Sequence, residues 1–365
     1  MLDGAMLLDR RAFIGTVVAA AAPLLLGPLG GCRREGALDT ALPDSDMDRS
    51  AAEPAACALV YDPLFLEHRT PPGHPERPAR LTAILDRLEA DGLLHRLLRL
   101  RARSCEDEDL LRCHLPGYLE QLELEVRRGR HRLSTGDVSL SERTPEIARR
   151  AAGGAMAAVD AVCRRSARRA FAALRPPGHH ATPQTGMGFC IFNNAAIAAR
   201  YAQAMHGIER VLIADWDVHH GNGTQDIFEA DPTVFFFSTH QSPWYPGTGA
   251  AHEVGVGPGE GTVLNRPFPA GAGRDEVLGA FEDDLVAAMR RFEPQLVIIS
   301  AGFDSRRGDP LGHFTLDDED FADLTALVRD LADEHAEGRM ISVLEGGYDL
   351  EGLASATAAH VGAML

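Results

Sequence analysis

Val211-Leu212-Ile213-Ala214-Asp215-Trp216-Asp217-Val218-His219-His220-Gly221-Asn222-Gly223-Thr224-Gln225 is the stretch that decides the architecture. Its first four residues are uniformly apolar and too few for a helix, so they read as a strand buried on both faces. The residues that follow are polar and would be costly to bury unpaired. The same pairing recurs along the chain. Residues 170–173 precede Arg175-Pro176-Pro177-Gly178-His179-His180, residues 296–300 precede Gly302-Phe303-Asp304, and residues 341–344 precede Glu345-Gly346-Gly347-Tyr348. A fifth apolar run covers 234–237. Between the runs lie Ala-rich and Leu-rich helical stretches at 145–163, 194–205, 274–292 and 317–335. The last of these has Thr315 ahead of it and an acidic first turn, a helix-start signal. Alternating strands and helices imply a mainly parallel sheet covered on both faces, with ligands held beyond the carboxyl ends of the strands.

Bulk composition agrees with a globular enzyme of this type. The chain has 365 residues, 45% hydrophobic and 24% charged, with 36 glycines to serve its many loops. Its net charge of -17 repels phosphate backbones and argues against nucleic acid as a partner. The six cysteines contain no C-x-x-C pair, so a cysteine zinc site is not expected. Export would allow Cys105 and Cys113 to be bridged, although buried, inert thiols are the preferred reading.

The N-terminus reads as an address. Arg10-Arg11 followed by Ala12-Phe13 has the spacing of a twin-arginine export signal, and residues 16–29 are an uncharged apolar run. That run is shorter than the ~20 residues a membrane span requires. Leu29-Gly30-Gly31-Cys32 then resembles a lipobox, with Cys32 as the acylated residue. Residues 1–32 are therefore expected to be a signal peptide, 33–56 a flexible Ala/Asp/Ser/Pro-rich linker, and 57–365 the catalytic domain. The expected location is the periplasm or cell envelope, with membrane contact only through a lipid on Cys32. Cytoplasmic residence is the alternative if the signal reading fails.

The polar segments suggest chemistry. Asp217 and His219 alternate in what reads as an extended segment, which would put both side chains on one side. With Asp304 they make three ligands and an open position, the pattern of a catalytic zinc. A core histidine with two surface aspartates accounts for the same letters. Tandem imidazoles at His179 and His180 suit proton transfer, and Gly346-Gly347 lets Tyr348 approach a developing oxyanion.

Taken together, RPPGHH, GFCIFNN, DWDVHHGNGTQ, SAGFD, GDPLG and EGGY occur in an order that resembles the histone deacetylase family, including its bacterial deacetylase-like and acetylpolyamine amidohydrolase members. The resemblance runs from about Tyr61 to the C-terminus. It implies an arginase/deacetylase-like three-layer α/β fold around a mainly parallel sheet of about eight strands. It also implies one zinc ion held by Asp217, His219 and Asp304, with His180 as general base and acid and His179 as its electrostatic partner. Asp215 would orient His179, and Asn222, where class I members carry aspartate, is the class II choice for holding His180. Tyr348 would bind the scissile carbonyl. Phe189 and Tyr245 would wall the acyl-lysine tunnel and Gly188 would give the stem room, although the family usually has Phe at the position of Tyr245. Asp215, Asp217, His219, Ser238 and Thr239 match a potassium site, and Phe228, Asp231 and Val234 a second one. Two-manganese relatives on this fold need carboxylates where this chain has Gly221 and Arg306, so a binuclear centre is not expected.

The expected reaction is zinc-dependent hydrolysis of an acylated amine, as in acetyl-lysine deacetylation. Leu311 in Gly308-Asp309-Pro310-Leu311-Gly312 matches lysine-directed members, whereas the polyamine-directed class II enzyme carries glutamate there. An acetylpolyamine or other small-molecule amidohydrolase is the alternative, and a catalytically silent acyl-binding lipoprotein is the alternative from a different class. Substrate choice is expected to reside in the rim loop at 69–77 and near Trp244.

Overall fold

The computed structural model describes residues 53–365, so the signal segment, Cys32 and nearly all of the linker lie outside the described residues. The eight strands are β1 (Ala55–Val60), β2 (Leu98–Leu100), β3 (Ala167–Ala172), β4 (Val211–Asp215), β5 (Val234–Gln241), β6 (Val263–Phe268), β7 (Leu296–Ala301) and β8 (Met340–Leu344). They form one sheet in the order β2-β1-β3-β8-β7-β4-β5-β6. Every pairing is parallel, not merely most of them.

Burial explains the apolar runs. β4, β7 and β8 at the sheet centre are buried at every position because helices cover both faces. The edge strands differ. β2 is only half-buried, and β6 tolerates Pro267 because its outer side has no partner strand. One surprise is β5, which continues past Phe237 through the polar Ser238, Thr239, His240 and Gln241. These residues stay paired with Asn265–Phe268 of β6 and are buried.

Helix boundaries follow local chemistry. Asn193 caps the helix Asn194–His206 by accepting from the Ala196 amide, and Gly207 closes it at φ +66°. Asp317 and Asp320 make a reciprocal capping box at the start of Asp318–His335. The expected helix at 274–292 is interrupted by a π-helical segment, Ala280–Leu285. Its Phe281 packs on Trp216 and Phe237, with ring centroids 6.1 and 4.8 Å apart. β1 begins at Ala55, two residues before the expected domain edge at Cys57. Cys105 and Cys113 are free, buried thiols, each pushed up to about 12 chiefly by desolvation. Among the described residues no helix is long and apolar enough to cross a membrane.

The loops leaving β3, β8, β7 and β4 meet at the carboxyl edge of the sheet centre, where a parallel sheet presents its ligand crevice.

Candidate active site

Asp217, His219 and Asp304 converge there. One ligand-type atom from each lies within 4.8 Å of the others, and all three residues are buried. Asp217 and His219 do not alternate in a strand as expected. β4 ends at Asp215 and the chain bends through 217–219, which carries both side chains to one point by a different route. The bend is stitched by Asp215, which accepts from the Asp217 amide at 3.0 Å, and by Asp217, which accepts from the His219 amide at 2.9 Å. Asp304 accepts from the Val218 amide at 3.0 Å through Oδ1, while its buried Oδ2 has no hydrogen bond. His219 Nδ1 lies 3.0 Å from an oxygen of Asp217 and 3.3 Å from one of Asp304. Burial opposes a charge on this imidazole, but the two carboxylates outweigh it and hold the ring at about 10. Desolvation and Asp217 raise the Asp304 carboxyl, and the three residues together could hold a metal ion.

The tandem histidines sit beside this cluster with ring centroids 4.0 Å apart. His179 Nδ1 donates to Asp215 at 2.9 Å, and His180 Nδ1 donates to Asn222 Oδ1 at 2.8 Å. Their acidities diverge. Burial acts to lower both, but Asp215 and Asp217 outweigh it at His179 and raise that ring well above its usual range. His180 has only a neutral amide partner. Burial, His179 and His219 together push it well below the usual range, leaving a free base beside a cation.

A cavity of about 220 Å³ opens onto this cluster, and its lining brings together His180, Gly188, Phe189, His219, Tyr245 and Tyr348, with Leu311 and Trp244 at the rim. Phe189 and Tyr348 meet edge to face at 6.0 Å, and Tyr245 stands 5.1 Å from the His180 ring. Gly188 is obligatory, since its φ is +55° and a Cβ there would lie 2.1 Å from a ring carbon of His180. Gly346 is equally constrained, as its Cβ would lie 2.0 Å from Asp304 Oδ2.

The remaining sequence candidates are placed as follows. Ser238 lies in register with Asp215, and its hydroxyl pairs with His240 Nδ1 at 3.0 Å. Thr239 Oγ1 is buried without a partner. Phe228 is buried, Val234 opens β5, and the Asp231 carboxylate is engaged by Arg200 at 2.5 Å and by Thr233. Arg306 turns away to Asp318 at 2.6 Å, and a side chain at Gly221 would collide with Asp215, so neither supplies a carboxylate for a second metal.

Four residues escaped the sequence reading of individual roles. Glu345 accepts from the Gly178 and His179 amides at 2.7 and 3.1 Å, and burial raises its carboxyl to about 7. Asp309 accepts from the Tyr348 and Asp349 amides at 2.6 and 3.1 Å, fixing the turn that carries the phenol. Arg80 donates to the carbonyls of Gly347 and Glu345 at 2.6 and 2.5 Å, and its cation sits 5.0 Å from the centre of the Tyr348 ring. Asp137, in a loop without a motif, accepts from the Gly188 amide at 2.6 Å. For Arg80 the available signal was a charged residue on the buried stripe of Leu81, Ile84 and Leu88.

Residues 74–364 match the histone deacetylase domain family. The chain is 42% identical over 277 residues to the histone deacetylase-like amidohydrolase of Pseudomonas aeruginosa, covering 76% of this chain and 73% of that protein. It is 38% identical over 327 residues to histone deacetylase 14, chloroplastic, of Arabidopsis thaliana, covering 85% and 77%. It is 42% identical over 301 residues to the human polyamine deacetylase HDAC10, covering 80% of this chain and 44% of that longer protein. Among solved structures the HDA15 HD domain superposes with a TM-score of 0.80 at 37% identity, covering 86% and 88%.

Proposed function

Since this chain belongs to the histone deacetylase family and is a hydrolase of the deacetylase type, we propose that it cleaves acylated amines with one zinc ion held by Asp217, His219 and Asp304. The observation that carries the reading is that His219, gathered with Asp217 and Asp304 within 4.8 Å, lines one cavity together with His180 and Tyr348. The donor set suits the metal. Two carboxylates and one imidazole with an open position are a catalytic zinc shell, and the unpartnered Asp304 Oδ2 is a ligand atom in want of a cation. When bound, zinc would polarise the acyl carbonyl and bring the pKa of a water toward ~7.

The protein's own groups account for the rest. His180, held through Nδ1 by Asn222, turns Nε2 toward the reacting centre, takes a proton from the attacking water and later delivers it to the leaving amine. The His179–Asp215 pair keeps positive charge beside it while the oxyanion grows. Tyr348 donates its hydroxyl to that oxyanion, a contribution of about 3 kcal/mol for a preorganised donor. Phe189 and Tyr245 exclude bulk water from the acyl chain.

Acyl-lysine is the proposed substrate type, with Leu311 at the rim offering no carboxylate to a distal ammonium. The 42% identity to a polyamine deacetylase keeps acetylpolyamines as the second reading. Metal analysis of the purified protein combined with lysine, polyamine and amino-sugar amides assayed side by side tests both. A zinc-loaded protein inert on every amide would overturn the reading.

Two further assignments belong to this proposal. A potassium ion would be held around Asp215, Asp217, His219, Ser238 and Thr239, which the orphaned Thr239 hydroxyl supports. Export and acylation at Cys32 rest on the order of twin arginine, apolar run and Leu29-Gly30-Gly31-Cys32. Metabolic labelling with a palmitate analogue should mark the chain and should fail to mark Cys32→Ala.

A further inference from the structure

Three hollows on one face share lining residues and so make a single trough. Asp137 and Tyr245, at the mouth of the catalytic cavity, also line a second hollow of about 660 Å³. That hollow shares Arg130 with a third, of about 1070 Å³, which reaches Arg69 in the rim loop. The acyl group enters the cavity end-first, so the trough receives whatever the amine carries outside it.

In the hollow next to the catalytic mouth the charge is not balanced. The second hollow contains two cations, Arg130 and Arg132, and one acid, Asp137, whose carboxylate is engaged by the Gly188 amide at 2.6 Å. Among the described residues no carboxylate lies within 4.0 Å of either guanidinium. Arg132 donates through Nε to the Gly136 carbonyl at 3.0 Å, leaving its terminal nitrogens free. Glu125, the nearby acid, accepts from Ser134 and Gln121. Against desolvation, these bonds hold its carboxyl below the usual range, with help from the Arg130 charge beyond ion-pair distance. Arg69 and Arg128 likewise have no ion pair among the described residues, whereas two other neighbouring arginines do. Arg149 pairs with Asp107 at 2.6 Å and Arg143 with Glu146 at 2.9 Å. Arg130 and Arg132 thus present two exposed guanidinium forks without an ion pair beside the mouth of the catalytic cavity, where the substrate body must lie.

We infer that the amine side of the substrate carries an anionic group, carboxylate or phosphate, that Arg130 and Arg132 bind outside the tunnel. This deepens the amidohydrolase reading and rests on it. Guanidinium forks match both anions geometrically, whereas the distal ammonium of a polyamine would be repelled. Asp137 is the one carboxylate lining the catalytic cavity among the described residues, against the two guanidiniums, and Leu311 adds no second acid.

The test uses zinc-loaded protein and four acetyl-lysine peptides that differ only in flanking residues: glutamate, phosphoserine, glutamine or lysine. At low salt, kcat/KM for the two acidic peptides should exceed that for the lysine-flanked peptide about tenfold, the scale of two exposed ion pairs. The ratio should shrink at high salt. The glutamate and phosphoserine arms tell which anion is preferred. Arg130→Glu should invert the ratio, Arg132→Gln should reduce it, and Arg291→Glu, the same charge change on another face, should keep it. Equal kcat/KM across the four peptides, or a ratio that survives Arg130→Glu, would overturn the inference. Anisotropy measurements of labelled versions of the same peptides give an independent readout. Tighter binding of the acidic peptides without turnover of any would support the trough assignment while the amidohydrolase reading failed. Equal binding would overturn the trough assignment.

Discussion

Two clusters of buried charge lie at the two ends of one short segment, and they are built on opposite rules. Arg175 opens RPPGHH and anchors the first. Its guanidinium bonds both oxygens of Glu76 and the carbonyls of Phe65 and His68, and Arg80 stands 3.6 Å from the same carboxylate. His179 and His180 close the segment and belong to the second cluster, with Asp215, Asp217, His219, Asp304 and Glu345. Both clusters are fully buried, so burial does not distinguish them. Compensation does. Desolvation would raise the Glu76 carboxyl, yet Arg175, helped by His68 and Arg80, holds it down at about 2. In the first cluster Arg80 Nη1 has no hydrogen bond but stands 3.6 Å from the Glu76 carboxylate, an opposite charge. In the second, Asp304 Oδ2 and Glu345 Oε1 have no hydrogen bond, and the two histidines are pushed in opposite directions. Matched, opposite charges in contact make a scaffold, and mismatched, like charges left together mark where the proposed metal, proton or oxyanion would complete the site. Arg80 ties the two together, reaching Glu76 at one end and the carbonyls around Gly346-Gly347 at the other.

The sharpest way to break this contrast is Asp304→Asn. Zinc content, read by elemental analysis, should be lost and turnover should fall to the uncatalysed background. The amide still accepts from Val218, and repulsion against Asp217 is relieved. The metal-free variant should therefore melt no lower than metal-free wild type. A lower melting temperature would mean that the second cluster is scaffold after all.

Glu76→Gln probes the other cluster and should behave in reverse. Leaving Arg175 and Arg80 buried without their carboxylate should cost about 4 kcal/mol in a urea titration. Acid should mimic the substitution. Folding lowers the Glu76 carboxyl from the usual 4.5 to about 2, so its contribution, roughly 3 kcal/mol, is present above pH 4.5 and lost as pH falls toward 2. His68 adds an earlier loss. Desolvation lowers it from 6.5 to about 4, so it is buried neutral, and stability drains as pH falls between those values. Melting temperature against pH should thus fall in two stages in wild type, with the lower stage missing from Glu76→Gln. Parallel curves would separate Glu76 from acid sensitivity.

The second cluster was more legible in the sequence than the first. Its residues directly follow apolar runs, and a parallel sheet brings the ends of such runs to one edge, so His179, Asp217, Asp304 and Tyr348 could be grouped from local pattern alone. Glu76 and Arg80 carry no such mark, and Arg175, although it follows such a run, carries no sign of its partner. Their partners are remote, as Arg80 meets Gly347 across 267 positions and Arg175 meets Glu76 across 99. Asp309 was missed for the same reason, since it supports Tyr348 from 39 positions away. Polar letters also misled where pairing overrode composition. Ser238 to Gln241 read as the end of a strand, yet they continue it under the cover of β6 and the loop holding Gly249.

Within the second cluster, Tyr348→Phe removes one hydroxyl and little else, because Arg80 and Asp309 hold the backbone of the turn without it. Turnover should drop about a hundredfold with zinc content and melting temperature unchanged. Unchanged turnover would sink the oxyanion role.

The smallest effect expected is also the most diagnostic of mismatch. Asn222→Asp replaces the neutral acceptor on His180 Nδ1 with a carboxylate, giving His180 the kind of partner that His179 already has. A negative charge at that distance stabilises the imidazolium and should raise the His180 pKa by about one unit. His180 accepts a proton only when neutral, so activity is present above its pKa and lost below it. The acid limb of kcat/KM against pH should therefore move upward by about one unit. That is roughly a tenfold loss on the acid side, converging with wild type at alkaline pH. An acid limb that stays in place would show that desolvation and the neighbouring cations, and not the neutrality of Asn222, set the basicity of His180. The contrast between matched and mismatched charge would then have to be redrawn with Asn222 on the scaffold side.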